Sequence, residues 1–176
     1  MRDQKNRVRQ AMREKREALS PGDRLERSRR ICGFVRAQIR DGETVMVYSS
    51  KELEANTRPL IEDLLASGNP VIVPIIVRED VSLRLSYLRD PSVLVLSTFG
   101  VPEPIGSEIP ARVGDVNTII LPMLGFDRKG GRLGRILAAP MARLGSGVRT
   151  ICMAVSAVRS ETTAPRSPAA GASRSV

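Results

Sequence analysis

Apolar residues along this chain follow first the spacing of helices and then that of strands. Over residues 3–19, Val8, Met12 and Leu19, with Ala11 and Ala18, form a thin apolar stripe among Arg, Lys, Gln and Glu, which favour helix. Ser20-Pro21-Gly22-Asp23 starts a second helix, with Ser20 as N-cap, Pro21 in the first turn and Asp23 at the capping-box position. The spacing carries that helix to about Arg40, with Leu25, Ile31, Phe34, Val35 and Ile39 on its buried side, and Asp41-Gly42 ends it. Thr44–Ser49 is a first strand. Thr57 or Asn56 caps a third helix over Arg58–Ser67, which Gly68-Asn69-Pro70 stops. Val71–Val77 is a buried second strand that Pro74 is expected to end or kink. Leu83–Leu88 alternates as a further strand, Gly100–Pro104 is a rigid loop, and Thr118–Leu121 and Val148–Ser156 are apolar enough for core strands.

Strand, helix and strand joined by short links make a βαβ unit, so the sheet is at least partly parallel. The expected fold class is α/β, a three-layer α/β/α arrangement around a mostly parallel sheet, in one domain over residues 1–160. After Arg135 the composition changes: residues 136–176 hold no Lys, no Asp and a single acid, Glu161. Residues 161–176, rich in Ala, Pro, Ser and Arg without apolar period, are expected to be a disordered tail.

The chain has 176 residues, 41% hydrophobic and 27% charged, enough for a domain with a real core. No apolar run approaches the ~20 residues of a membrane span, and the charged N-terminus does not resemble a signal peptide. A cytoplasmic location without membrane contact is the expectation. Cys32 and Cys152 form no metal-ligand spacing and read as buried thiols. Histidine is absent, which excludes His-based triads and His-ligated zinc. A net charge of +9 calls for an anionic partner. Nucleic acid is one candidate, though aromatics of only 3% offer little for stacking platforms, and a nucleotide or polyanionic metabolite is the other.

Three segments have the residue types for such a ligand. Lys5 and Arg9 lie four apart on one helix face, with Arg13 and Arg16 near the same side, so that two or three cations can grip a triphosphate. Against this stands a solvated face balanced by Asp3, Glu14 and Glu17. Tyr48–Thr57 follows the first strand, where parallel α/β proteins bind ligands, and a carboxylate there can accept hydrogen bonds from a heterocycle's N–H groups. Phe126–Arg135 is a turn in which Gly130, Gly131 and Gly134 allow close backbone approach, Arg132 and Arg135 bring charge, and Asp127 faces a metal or caps a turn.

The segments gain specificity from their order. Lys5-x-x-x-Arg9, then Ser49 with Glu54-x-x-Thr57-Arg58-Pro59, then Gly100-Val101-Pro102-Glu103-Pro104, then Leu121-Pro122-x-x-Gly125-Phe126-Asp127-x-x-Gly130-x-Arg132-Leu133-Gly134 resembles the 5-formyltetrahydrofolate cyclo-ligase (5,10-methenyltetrahydrofolate synthetase) family, over about residues 3–135. The resemblance implies a Rossmann-like cyclo-ligase fold and a monomeric enzyme using ATP and Mg2+. Such an enzyme converts 5-formyltetrahydrofolate to 5,10-methenyltetrahydrofolate and releases ADP and phosphate. It also implies that Lys5, Arg9, Arg132, Gly134 and Arg135 bind ATP and that Ser49 and Glu54 contact the folate. Asp127 is the nearby candidate for the metal.

Beyond Arg135 the chain leaves the family's pattern. Where the family has a glycine run and Tyr-Tyr-Asp-Arg, this sequence has Ile136-Leu137-Ala138-Ala139-Pro140-Met141-Ala142-Arg143. Branched side chains there would crowd a backbone that must approach phosphate, and each lost phosphate-stabilising donor costs about 3–4 kcal/mol in the transition state. The fold is therefore expected to be altered or truncated at its C-terminal end, and the alternative function is a catalytically inactive nucleotide- or folate-binding homologue.

Overall fold

The structure, a computed structural model, describes residues 2–77, 79–80, 82–97, 99–126, 132–133 and 147–155. The helices are α1 (Arg2–Glu17), α2 (Pro21–Arg36) and α3 (Arg58–Ala66). The strands of the main sheet are β1 (Val45–Val47), β2 (Val71–Val77), β3 (Ser82–Leu88), β6 (Ile109–Ala111), β7 (Thr118–Pro122) and β10 (Arg149–Met153). Two small ribbons complete the description, β4 (Val95–Leu96) with β5 (Pro102–Glu103) and β8 (Gly125–Phe126) with β9 (Arg132–Leu133).

The six-stranded sheet has the order β10-β7-β1-β2-β3-β6. β10, β7, β1 and β2 pair in parallel, and β3 pairs antiparallel with both β2 and β6. Only β3 therefore runs against the rest, and the sheet is mostly parallel as expected. Side chains alternate across it. Val45, Val47, Val71, Val73 and Ile120 join Cys32 and Val35 of α2 and Leu60, Ile61 and Leu64 of α3 in one core. Met46, Ile72 and Ile119 point the other way, into a cluster with Val116. α2 and α3 thus cover one face, and the second helical layer of the expected three-layer arrangement is not among the described residues.

The buried stripe of α2 is Ser28, Cys32 and Val35, continued by Ile39. Leu25 and Phe34 were expected on this side and instead are exposed, at 51% and 56%. Phe34 lies about 100° around the helix from Val35, and Leu25 lies at the N-terminal end, beside a surface pocket. α2 stops at Arg36 rather than near Arg40 because its chain tightens into i→i−3 bonds, Gln38 N–H to Val35 and Ile39 N–H to Arg36. Ser20 caps the helix as expected, its Oγ accepting from Asp23 N–H at 3.0 Å.

Pro74 neither ends nor kinks β2, which pairs with β3 continuously from Val71 to Val77. The explanation lies in alternation. The N–H of Ile76 points away from β3, to the Glu103 carboxylate at 2.8 Å, and Pro74 shares that orientation. β1 pairs with β2 only at Val71 and Ile72, so no ladder bond is lost at Pro74. The expected rigid loop at 100–104 contains β5, which holds Glu103, 2% exposed, beside the extension of β2. The segment 161–176 lies outside the described residues.

Candidate active site

β1 is the point where the sheet changes direction of growth: the chain leaves it for β2 on one side, and β7 flanks it on the other. The loops that follow β1 and β7 therefore part above the sheet's carboxyl edge, where open α/β sheets bind ligands. A cleft of about 710 Å3 opens there. Its floor comes from Pro122, Met123 and Leu124 at the end of β7, and one side from Lys51 and Glu54 after β1. α1 forms the opposite wall with Asn6, Gln10 and the arginines 9, 13 and 16. Met12 of α1 sits within 3.2–3.3 Å of where a Cβ on Gly125 would be, so the glycine admits the helix to the end of β7.

The loop after β1 is rigid because its own polar groups close it. The Tyr48 hydroxyl donates to Ala55 O at 3.0 Å, and the Thr57 hydroxyl donates to Tyr48 O at 2.8 Å. Thr57 N–H in turn donates to Ser50 Oγ. Thr57 makes no side-chain cap for α3; Asn56 does that, accepting from Arg58 N–H at 3.0 Å. Ser28 Oγ accepts from Asn56 N–H and fastens the loop to α2. Glu54 closes a tight turn, its Oε2 accepting from Lys51 N–H at 3.0 Å, and its carboxylate borders the cleft. Burial, reinforced by the Glu54 charge, pushes the Tyr48 hydroxyl far above the usual phenol range, and the Arg16 charge opposes the shift.

The cleft is electrostatically uneven. Ion pairs among the described residues involve Arg36, Arg58, Arg84 and Arg149, and none involves Arg9, Arg13, Arg16 or Lys51. Of the balancing acids envisaged for α1, Glu14 accepts from Gln10 instead, and neither Glu14 nor Glu17 forms an ion pair among the described residues. Four cations without an ion pair among the described residues, lining one cleft with a carboxylate, suit a polyphosphate joined to a group that offers N–H donors. Among the described residues no group of three His, Cys, Asp or Glu side chains could hold a metal ion. A smaller pocket of about 320 Å3, shared through Lys51 and Glu54, continues past Arg24.

The predicted residues are placed as follows. Arg9 and Glu54 line the same cleft. Ser49 directly follows the Tyr48 end of the loop, is 6% exposed, and its Oγ is buried without a partner among the described residues. Lys5 lies in α1 one turn before Arg9, and Arg132 lies in β9 opposite Phe126. Gly134, Arg135 and Asp127 lie outside the described residues. Asn6, Gln10 and Met123 were not singled out from sequence. Their only signal was position, within a turn of Arg9 or just past a strand end.

A mostly parallel sheet with a cation-walled cleft at its switch point defines an α/β protein whose site suits a small anionic ligand, and no helix among the described residues is long and apolar enough to cross a membrane. The sequence pattern of the 5-formyltetrahydrofolate cyclo-ligase family matches residues 1–135. A 5-formyltetrahydrofolate cyclo-ligase of Mycolicibacterium smegmatis is 30% identical over 136 residues, covering 74% of this chain and 70% of that protein. One from Mus musculus is 25% identical over 136 residues, covering 73% and 67%. The fold is shared with the 5,10-methenyltetrahydrofolate synthetase of Aquifex aeolicus at a TM-score of 0.70 and 23% identity, over 85% of this chain and 77% of the other. The corresponding Mycoplasma pneumoniae structure gives a TM-score of 0.58 at 15% identity, over 81% and 79%. The chain belongs to the 5-formyltetrahydrofolate cyclo-ligase family, a family of ligases.

Proposed function

We propose that this chain converts 5-formyltetrahydrofolate to 5,10-methenyltetrahydrofolate, consuming ATP and releasing ADP and phosphate, as a cytoplasmic monomer whose catalytic unit is a single domain over residues 1–160. The observation that supports this most is the pairing, in one cleft, of a wall of cations that make no ion pair among the described residues with the half-buried carboxylate of Glu54. The formyl oxygen attacks the γ-phosphorus, and the bond to ADP breaks with its electron pair leaving on ADP. N10 then attacks the formyl carbon and gives up its proton, the carbon–oxygen bond breaks, and phosphate departs. The substrates supply both nucleophiles, which suits a chain with no histidine. The protein's work is to position the two molecules and neutralise charge.

In this reading Lys5 and Arg9 hold the ATP phosphates, together with Arg132, Gly134 and Arg135. Glu54 accepts from the N–H groups of the pterin ring, and the unpartnered Ser49 hydroxyl gains a partner there. Asp127 is the residue we propose toward Mg2+. The departure from the family pattern at Ile136–Arg143 favours a second reading, a homologue that binds both ligands without turnover. Mixing the protein with 5-formyltetrahydrofolate and ATP and following the methenyl product's absorbance together with ADP separates the two. The proposal expects product and ADP in equal amounts. Binding of both ligands by calorimetry without product identifies the inactive homologue, and binding of neither refutes both readings.

A further inference from the structure

Arg16 is an unusual member of the cleft wall. It lies in the last turn of α1, where a cation also suits the negative end of the helix dipole. Its guanidinium is not merely a solvated charge, however, because its Nε is buried and has no hydrogen-bond partner among the described residues. Burying a charged donor unpaired is costly, and native proteins rarely leave such a group without an acceptor. Among the described residues it makes no ion pair, although Glu54 lines the same cleft. Arg24 donates both to Leu19 O, just past α1, and to Glu52 O, so the C-terminal end of α1, which carries Arg16, lies beside the Ser49–Glu54 loop. Arg9, Arg13 and Arg16 follow one another at i, i+4 and i+7, so the three cations extend over about 10 Å of α1.

We propose that Arg16 binds the terminal phosphoryl group of the bound triphosphate at the Glu54 end of the cleft, with its Nε–H and an Nη–H donating to two phosphoryl oxygens and Lys51 adding a second charge. A triphosphate lying along α1 has one end near Arg9 and the other near Arg16. A folate held by Ser49 and Glu54 presents its formyl oxygen at the Arg16 end. The terminal phosphoryl group must reach that end to be transferred, and Arg16 is the cleft-lining arginine nearest the C-terminal end of α1. The side-on face of a guanidinium, Nε–H beside Nη–H, matches two oxygens of one phosphoryl group, which a lysine cannot match. The identity of the acceptor rests on the proposed function; the anion site itself does not.

The test is a calorimetric titration of the full chain with inorganic tripolyphosphate and with ATP, at fixed moderate salt. The wild type binds both. Arg16→Gln weakens both at least tenfold, in line with the loss of a charge-assisted bidentate pair. Arg16→Lys recovers only part of the loss, and far-UV circular dichroism with a thermal melt verifies that each variant is folded. Lys15→Gln removes the same charge from the same helix turn, at an exposed position outside the cleft, and leaves binding within about twofold. Binding by Arg16→Gln equal to wild type overturns the proposal. So does an equal loss in Lys15→Gln, full recovery in Arg16→Lys, or no binding of tripolyphosphate by the wild type. Tripolyphosphate binding that depends on Arg16, in a protein that does not bind 5-formyltetrahydrofolate, upholds the anion site and refutes the folate reading.

Discussion

The two edges of the sheet use the same residue types to opposite ends. At the amino edge, before β1, β7 and β10, Arg149 reaches Glu43, Thr118 Oγ1 and Gln38 O. Glu43 also accepts from Arg40 N–H, and Asn69 donates to the carbonyls of Arg40 and Glu43. Asn117 Oδ1 accepts from Thr44 N–H. Almost every polar group there has found another within the chain, the buried Asn69 Oδ1 excepted. At the carboxyl edge the arginines 9, 13 and 16 and Lys51 make no ion pair among the described residues, and Ser49 Oγ and Arg16 Nε are buried without partners among them. The amino edge spends its polarity on stability. The carboxyl edge holds its polarity ready in a rigid frame, which is what preorganised binding requires.

This contrast can be broken by substitution, the largest effect coming from the amino edge. Glu43→Ala leaves the Arg149 guanidinium and the fully buried Thr118 hydroxyl without their shared acceptor, and should cost about 2–3 kcal/mol in urea unfolding while ligand affinity stays unchanged. A loss of binding as large as the loss of stability would show that the two edges are not separable.

Thr57→Val tests the frame. It removes the hydroxyl that donates to the buried Tyr48 carbonyl, and an expected cost of about 1–2 kcal/mol should come with a few-fold weaker affinity for 5-formyltetrahydrofolate. Stability loss with undiminished affinity would mean that the loop does not preorganise the site.

The smallest effect is expected at high pH. Burial among α2, α3 and the sheet pushes the Cys32 thiol up from its ordinary value near 9 to about 11. An unfolded thiol gives up its proton from about pH 9 upward while the folded one keeps it. The unfolded state then binds fewer protons, so stability falls as pH rises through the window from 9 to 11. Denaturant midpoints measured across that window should fall less steeply for Cys32→Ala than for wild type. Parallel slopes would show that the thiol is not protected from ionisation.

Much of this architecture was legible in the sequence wherever a run was long enough to carry a period. α1, α3, β2, β3 and β7 lie within two residues of their expected ends, and the βαβ order implied the parallel sheet. The short strands β4, β5, β6, β8 and β9 were not foreseen, because two or three residues have no period and are held by their partners. Phe34 shows the same limit from the other side: its apolarity marked it for the core, and its angle on the helix put it in solvent. Within the site, the i, i+4, i+7 spacing of Arg9, Arg13 and Arg16 exposed a cationic face. That Glu14 and Glu17 would leave that face unbalanced could not be read, since it depends on which rotamers reach one another. The contribution of Met123 and Leu124 needed the fold itself, because only the sheet order brings the ends of β1 and β7 together.

The central claim is that the carboxyl-edge cleft is a folate site organised around Glu54. Calorimetric titration of 5-formyltetrahydrofolate into wild type and Glu54→Gln tests it directly. The glutamine is nearly the same size but carries no charge, so the account predicts affinity weakened about tenfold with an unchanged thermal midpoint. Equal affinity in the two proteins would contradict it.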